Sequence, residues 1–313
     1  MRLAIRHISH YRFDDNAAYV LQRLRLRPQT GPGQTVRAWQ VTIGGVEPTL
    51  TYADGLGNRT DLVRHERDKP EIVIIAAGVV ETQDRAGIVG HVEGYAPPWI
   101  FERETDLTRA GDAIKALAAA LPIENRSLDA LHWLMTEVHG RIAYAPTASD
   151  LSNDAETALQ SGEGTSRDHA HAFIAVARAL KVPARYVSGY LMTDGPMQRM
   201  AEAMHQSSGA MQQSQQMQLD ADGMSQRAGD LVQQAPQRPA VTATQPPSGH
   251  AWAEAYVEGL GWVGFDPFMN RCPDERYVRI ATGLDYRDTM PVSGPGAVPV
   301  AVEISVIQSP ELV

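Results

Sequence analysis

The stretch from residue 162 to residue 191 constrains the fold of this chain more than any other. It opens on a turn marked by Gly162 and Gly164. An apolar pattern at helical spacing follows, comprising Ala170, Phe173, Ile174 and Ala177. Pro183 ends this pattern, and the β-branched and aromatic run at 184–191 indicates a buried strand. The sequence therefore predicts a buried helix that leads into a buried strand.

Ser166 lies where the predicted helix begins. Serine is a favoured N-cap residue, so one interpretation is a purely structural role in capping the helix. The first turn of a buried helix is also where an enzyme can place a nucleophile. Its backbone N–H groups lack helical acceptors, and the positive end of the helix dipole stabilises developing negative charge. Position alone does not separate these two roles.

A second stretch favours the nucleophile. Residues 249–267 predict a β-hairpin, with an alternating strand, the turn EGLG and a second strand ending in FDP. His250 starts the first strand and Asp266 ends the second, so antiparallel pairing can bring an imidazole and a carboxylate together at one edge of a sheet. A nucleophile, a histidine and an orienting carboxylate together form a catalytic triad by role.

The chain resembles the bacterial transglutaminase-like proteins, a superfamily with a papain-like Cys-His-Asp core. The segments that carry the resemblance are GTSRDHAH, RALKVPARYVSGYL, HAWAEAY and GWVGFDP. The resemblance implies an α+β fold, with helices packed on an antiparallel sheet. It also implies that His250 is the general base and that Asp266 orients it. We expect the motif residues Asp168, His171 and Trp252 to bind substrate or to support the triad.

The nucleophile position departs from the family pattern, because Ser166 stands where the family has cysteine. A helix N-terminus and a histidine can convert a thiol to a thiolate, whereas an alcohol needs concerted removal of its proton. Thr165, Arg167 and His169 also differ from the commonest family residues, which fits natural divergence rather than a single artificial replacement.

Two functions therefore stay open. In the first, a Ser-His-Asp version of the triad acts on amide or isopeptide bonds of peptides, by acyl transfer or hydrolysis. In the second, the chain is a catalytically silent homologue that binds a peptide or a partner protein. The retained histidine and aspartate favour the enzyme, and the serine favours the silent homologue.

Composition shifts along the chain predict its domain organisation. Short alternating segments over residues 1–95 predict an N-terminal β-sandwich-like domain, and the Pro-rich YAPPWI marks its end. The transglutaminase-like core is expected over 96–192 and 249–313. Residues 193–248 form a Met- and Gln-rich low-complexity insertion, predicted to be either an inert loop or a lid. Strands predicted after residue 267 either extend the core sheet or return to the N-terminal strands.

Several residues receive no chemical role. His7 and His10 lie on a strand and are expected to be polar surface residues. His169 and His171 point to different sides of a helix, so no metal site is expected there. Cys272, the only cysteine, lies in a Pro-flanked loop rather than at a helix start, which disfavours a relocated nucleophile. We expect neither a metal nor another cofactor.

Charge and hydropathy limit the partners. The formal net charge of −9 gives no indication of nucleic acid or of an anionic membrane as a partner. The first residues lack the apolar core of a signal peptide, and no run of eighteen apolar residues occurs, so a cytoplasmic location is expected. The expected partner is a peptide or protein amide substrate. The sequence leaves the oligomeric state open.

Overall fold

A computed structural model describes residues 1–13, 19–44, 48, 50–66, 71–92, 96–121, 127–145, 152–193, 249–294 and 297–309. The predicted insertion lies outside these ranges apart from its first residue, Thr193, so its role as a loop or a lid stays a prediction. Helices and sheets together give the predicted α+β fold. Among the helices in the described ranges, none is long and apolar enough to cross a membrane.

Two four-stranded antiparallel sheets form the N-terminal domain. The first has the order β15-β1-β6-β3, with β1 at Arg2–Phe13, β3 at Gln34–Ile43, β6 at Glu71–Thr82 and β15 at Ala297–Gln308. The second has the order β14-β2-β5-β4, with β2 at Tyr19–Leu24, β4 at Leu50–Ala53, β5 at Arg59–Glu66 and β14 at Val292–Ser293. Buried residues from both sheets, including Leu24, Val41 and Ile74, share one apolar cluster. The β-sandwich-like prediction is confirmed.

The core sheet is also antiparallel and has the order β13-β10-β11-β12-β7. Its strands are β7 at Ile88–Gly90, β10 at Ala184–Leu191, β11 at His250–Val257, β12 at Gly261–Phe265 and β13 at Tyr277–Gly283. The two alternatives for the C-terminal strands both occur, because β13 extends the core sheet while β15 pairs with β1 of the N-terminal domain. A two-residue parallel ladder joins β8 at Ala143–Tyr144 to β9 at Glu163–Gly164.

The predicted helix after Gly164 is the central element of the core. Five α-helices are described, α1 at Asp112–Ala119, α2 at Leu128–Arg141, α3 at Ala155–Ser161, α4 at Ser166–Ala179 and α5 at Tyr286–Thr289, and two 3-10 helices lie at Pro98–Glu102 and Asp106–Thr108. Every residue of α4 from Arg167 to Arg178 is buried, because α1, α2, α3 and the core sheet surround it. Burying a side chain such as Phe173 contributes about 1.5–3 kcal/mol. Packing therefore encloses α4 from its second residue, Arg167, onward.

The short helix α5 lies in the segment DYRDT (residues 285–289), whose composition is typical of a loop. Asp285 precedes the helix, and its Oδ1 accepts a hydrogen bond from the backbone N–H of Arg287 at 2.8 Å. This side-chain cap closes one helical turn where composition indicated only a turn. The difference matters for the site, because α5 begins with Tyr286.

Candidate active site

The first turn of α4 is capped by Thr165 rather than by Ser166. Asp168 Oδ2 accepts hydrogen bonds from the Thr165 backbone N–H at 2.7 Å and from Thr165 Oγ1 at 2.8 Å. This is a capping box, so the interpretation of Ser166 as the cap is wrong. A Cβ on Gly164 would lie 2.7 Å from Asp168 Cβ, which explains the glycine two residues before Ser166. Ser166 is the first helical residue, and its hydroxyl is not needed for the cap.

The β11–β12 hairpin brings the predicted base and its carboxylate together. Pairing of Ala253 with Phe265 sets the register and places His250 and Asp266 at the same end. His250 Nε2 lies 2.5 Å from Asp266 Oδ2, and Asp266 is fully buried. Antiparallel pairing within the hairpin is sufficient to predict this juxtaposition.

Three further donors surround the Asp266 carboxylate. The backbone N–H groups of Phe268 and Met269 each donate to Oδ1 at 3.1 Å, and Tyr277 Oη donates to Oδ2 at 2.8 Å. Burial and the neighbouring carboxylate raise the pKa of Tyr277, so its phenol keeps the proton that it donates. A carboxylate with these four partners accepts from His250 Nε2, which makes Nδ1 the basic nitrogen of the neutral ring.

Aromatic rings restrict the orientation of the His250 imidazole. The Trp252 ring stacks near it with centroids 6.2 Å apart, and the rings of Tyr277 and Phe268 lie at 5.6 and 5.9 Å. The His250 side chain is only 10% exposed. Trp252 itself is buried, and it occupies the space that a Cβ on Gly189 would enter. Trp252 therefore packs behind the imidazole and holds it in place.

Ser166 and His250 line the same cleft. Its other described lining residues are His7, Arg25, Leu26, Arg167, Tyr186, Ser188, Gly189, Tyr190, Gly249, Ala251, Ile280, Tyr286 and Pro291. The first three come from the N-terminal domain, and Tyr286 comes from α5. The structure thus brings the predicted nucleophile and the predicted base to one concave surface, with walls contributed by both domains.

His171 supports the wall of this cleft from behind. It is fully buried, and its Nε2 accepts a hydrogen bond from the backbone N–H of Tyr286 at 3.1 Å. Burial, and then the nearby positive charge of Arg167, hold the pKa of His171 well below its ordinary value, so the ring is neutral. His171 therefore fixes the start of α5, whose Tyr286 ring lines the cleft.

Two family descriptions match most of the chain. Residues 115–267 match the transglutaminase-like superfamily, and residues 3–81 match the bacterial transglutaminase-like N-terminal region. The chain belongs to the transglutaminase-like superfamily. The two matched segments fall on the core and on the N-terminal domain, and this confirms the resemblance inferred from the motifs.

The transglutaminase-like fold is also seen in a solved structure. A proposed cysteine protease from Cytophaga hutchinsonii superposes with a TM-score of 0.68 over 100% of this chain and 92% of its own, at 17% sequence identity. An uncharacterised protein of Mycobacterium leprae is 22% identical over 94% of this chain and 92% of its own length. An uncharacterised protein of Mycobacterium tuberculosis is 23% identical over 94% of this chain and 87% of its own length. At these identities the solved structure supports the fold.

The expectation that His7 is a surface residue is wrong. In this transglutaminase-like protein His7 is only 4% exposed and lines the cleft. Its Nδ1 lies 2.8 Å from Tyr190 Oη, and its Nε2 lies 2.8 Å from Ser9 Oγ. His7 shares strand parity with Leu3 and Ile5, and this signal could have placed it on the buried face.

His169, His171 and Cys272 each lie in a different environment. The His169 ring contacts the carbonyl oxygens of Thr165 at 2.7 Å and Ile142 at 2.9 Å, whereas His171 binds Tyr286. Cys272 is half-buried outside the group of residues that line the cleft, and burial raises the pKa of its thiol to about 11. At neutral pH Cys272 is therefore a protonated and weakly nucleophilic thiol.

Proposed function

We propose that this transglutaminase-like protein acts on amide or isopeptide bonds of peptides through an acyl intermediate on Ser166. The observation that supports the proposal is the buried hydrogen bond between His250 Nε2 and Asp266 Oδ2, on a ring that shares the cleft with Ser166. This bond sets the tautomer in which Nδ1 is the base. An imidazole held in this way, in the same cleft as an alcohol at a helix start, has the parts of a serine nucleophile system.

Acylation follows from these roles. His250 Nδ1 takes the proton of Ser166 Oγ as the oxygen attacks the carbonyl carbon of the amide. Backbone N–H groups in the first turn of α4 stabilise the oxyanion, because they have no acceptors within the helix. The intermediate collapses as the C–N bond breaks, and the imidazolium gives its proton to the leaving amine. The Asp266 carboxylate stabilises the imidazolium while it exists.

Deacylation uses the same groups in reverse. Water or a second amine loses a proton to His250 Nδ1 and attacks the ester carbonyl. The bond to Ser166 Oγ then breaks, and the oxygen recovers its proton from the imidazolium. Water gives hydrolysis and an amine gives transfer, so one acyl intermediate accounts for both reaction types that we propose.

The silent homologue remains the second candidate, favoured by the serine itself. A thiol is larger and more acidic than an alcohol. A cleft shaped for a thiolate can therefore hold the hydroxyl oxygen of a serine without activating it. Such a protein would bind a peptide in the same cleft and leave it intact.

Intact-mass spectrometry with an activated peptide ester separates the two candidates. The catalytic proposal expects a transient mass increase equal to one acyl group, absent from Ser166→Ala and from His250→Ala. A native protein that never gains an acyl group, together with measurable binding of the corresponding peptide amide, would establish the silent homologue instead.

A further inference from the structure

A second cavity lies on the face of the core sheet that points away from α4. Trp252 and Glu254 alternate along β11 with alanines that pack in the apolar cluster around α4, so both side chains point to the opposite face. They line this cavity together with Tyr277, Arg279 and Arg85. It encloses about 460 Å³, including the space at its opening to solvent, and no described residue lines both it and the candidate active-site cleft. We call it the rear cavity.

Two arginines share a single carboxylate at the rear cavity. Arg185 Nη2 lies 2.6 Å from Glu254 Oε2, and Arg279 Nη2 pairs with Oε1 of the same side chain. Glu254 is fully buried, and each of its oxygens accepts from one guanidinium group. In the described part of the chain, neither arginine pairs with any other carboxylate. The three side chains together therefore carry a surplus of one positive charge.

The guanidinium of Arg279 also has donors without acceptors. Among the described residues, only its Nη2 has a hydrogen-bond partner, and Nε is buried without one. The backbone of Arg279 is nevertheless firmly held, because its N–H donates to Gln34 Oε1 at 2.9 Å and its carbonyl accepts from Gln34 Nε2 at 3.0 Å. A buried donor without an acceptor is unfavourable, and an added acceptor relieves that cost. Arg279 is therefore a fixed cation with hydrogen-bonding capacity to spare.

Arg85 adds a second positive charge to the lining. It is exposed, and it forms no ion pair with any residue in the described ranges. Its neighbour Asp84 does not line the cavity, and Oδ1 of Asp84 accepts a backbone N–H at 2.8 Å. The other lining carboxylate, Asp274, accepts from Arg276 Nε at 3.0 Å, so its charge is balanced. The described lining thus has a net positive charge that comes from Arg85 and from the group around Arg279.

We propose that the rear cavity is a binding site for a small anion that carries a carboxylate or a phosphate group, held by Arg279 and Arg85. A guanidinium presents its N–H groups in the planar arrangement that matches both kinds of oxyanion. A concave surface with a surplus of one charge attracts ligands of the opposite charge, and small-molecule sites usually measure about 300–1,000 Å³. The site is separate from the candidate active-site cleft, so it stands or falls independently of catalysis by Ser166.

Equilibrium dialysis of the full-length native protein tests this proposal. Radiolabelled inorganic phosphate and radiolabelled succinate are used in separate experiments at low ionic strength. At least one of them is expected to bind with a stoichiometry of about one and a Kd below about 1 mM. Added sodium chloride should weaken the binding, because salt screens the attraction between the anion and the arginines. The anion that binds more tightly identifies whether the natural ligand presents a phosphate or a carboxylate.

Substitutions assign the binding to the rear cavity. Arg85→Gln and Arg279→Gln are each expected to weaken it roughly 10- to 100-fold, as for the loss of a charged hydrogen-bonding partner. Arg279→Gln leaves Glu254 paired with Arg185, so the buried carboxylate keeps a counter-ion. Arg109→Gln is the matched control, since Arg109 is 71% exposed and is not a lining residue. Circular dichroism establishes that each variant is folded, and if Arg279→Gln does not fold, Arg85→Gln still decides the question.

Four results would overturn the proposal. The first is the absence of saturable binding of either anion up to about 10 mM. The second is unchanged affinity in folded Arg85→Gln and Arg279→Gln, which would place the anion elsewhere. The third is an equal loss of affinity in Arg109→Gln, which would mean that only the net charge of the chain matters. The fourth is a loss of binding in Ser166→Ala, which would place the anion in the candidate active-site cleft.

Discussion

His7 Nδ1 and Tyr190 Oη lie 2.8 Å apart and join the N-terminal domain to the core sheet at the wall of the cleft. The two residues are 183 positions apart in the chain, and both are buried. A neutral imidazole suits this position, because each of its ring nitrogens faces a hydroxyl group that can donate or accept. The N-terminal domain therefore forms part of the site. Because protonation of His7 disfavours the folded state, the stability of this region depends on pH.

Stability should fall in mild acid because of His7. Burial lowers the pKa of His7 from 6.5 to about 4. The folded state therefore binds the proton more weakly than the unfolded chain, so the stability contributed by this group is complete above pH 6.5 and is lost as the pH falls toward about 4. Between pH 7 and pH 5 the loss from His7 alone is about 2 kcal/mol.

Urea unfolding at pH 7 and pH 5 measures this loss. The difference between the free energies of unfolding at pH 7 and at pH 5 should be about 2 kcal/mol smaller in His7→Gln than in the native protein. The control variant His10→Gln removes a half-buried histidine from the same strand. An equal difference in the native protein and in His7→Gln would show that His7 is not held neutral.

The Glu254 carboxylate should be essential for folding stability. It is fully buried, lies 2.6 Å from Arg185 Nη2 and also forms an ion pair with Arg279. Glu254→Gln leaves two guanidinium groups without their common counter-ion, and the expected loss is about 3–5 kcal/mol in the free energy of unfolding. Thermal and urea unfolding measure it. The matched control Glu81→Gln breaks only an exposed ion pair with Arg37 and should leave the free energy of unfolding unchanged. A similar loss in both variants would contradict the special role of the buried Glu254.

Asp266→Asn should remove most of the acylation rate while keeping the fold. The amide has nearly the same shape, but it carries no charge to stabilise an imidazolium and can force the wrong tautomer on His250. By analogy with the same replacement in a serine protease triad, the rate should drop by about 10³- to 10⁴-fold. Stopped-flow acylation by an activated ester measures the rate. A drop below tenfold in a folded variant would mean that the pairing with His250 is structural only.

Tyr277→Phe should have a small effect on the same reaction. It deletes one of the four hydrogen bonds to Asp266 and leaves the pair with His250 in place. The expected decrease is roughly 2- to 10-fold in acylation rate, because the charge of Asp266 and its pair with His250 both remain. A decrease as large as that in Asp266→Asn would mean that Tyr277 has a direct role in the reaction.

The parts of the site that sequence could predict are those encoded by local pattern. The hairpin follows from alternation on either side of EGLG, and antiparallel pairing alone places His250 and Asp266 at one end. The buried helix that begins at Ser166 follows from apolar spacing, glycine turns and a proline stop. These signals span fewer than thirty residues each, roughly the scale on which periodicity is informative.

The parts that sequence did not predict come from packing between distant segments. His7 reaches the cleft because β1 packs beside the core sheet, which no local pattern encodes. Tyr286 lines the cleft because Asp285 caps a single helical turn that composition alone reads as a loop. Tyr277 lies on β13, and its hydrogen bond to Asp266 depends on how β13 lies relative to the hairpin. Thr165 took the cap because Asp168 completes a capping box.

Covalent labelling with a fluorophosphonate probe tests the central claim most directly. The full-length native protein, Ser166→Ala, His250→Ala and Ser166→Cys are treated in parallel, and the modified peptide is identified by mass spectrometry. Our account predicts a single adduct on Ser166 that is lost in both alanine variants while their circular dichroism is unchanged. A native protein that stays unlabelled while Ser166→Cys gains reactivity toward a thiol-directed probe would contradict it, and would leave a binding cleft without serine catalysis.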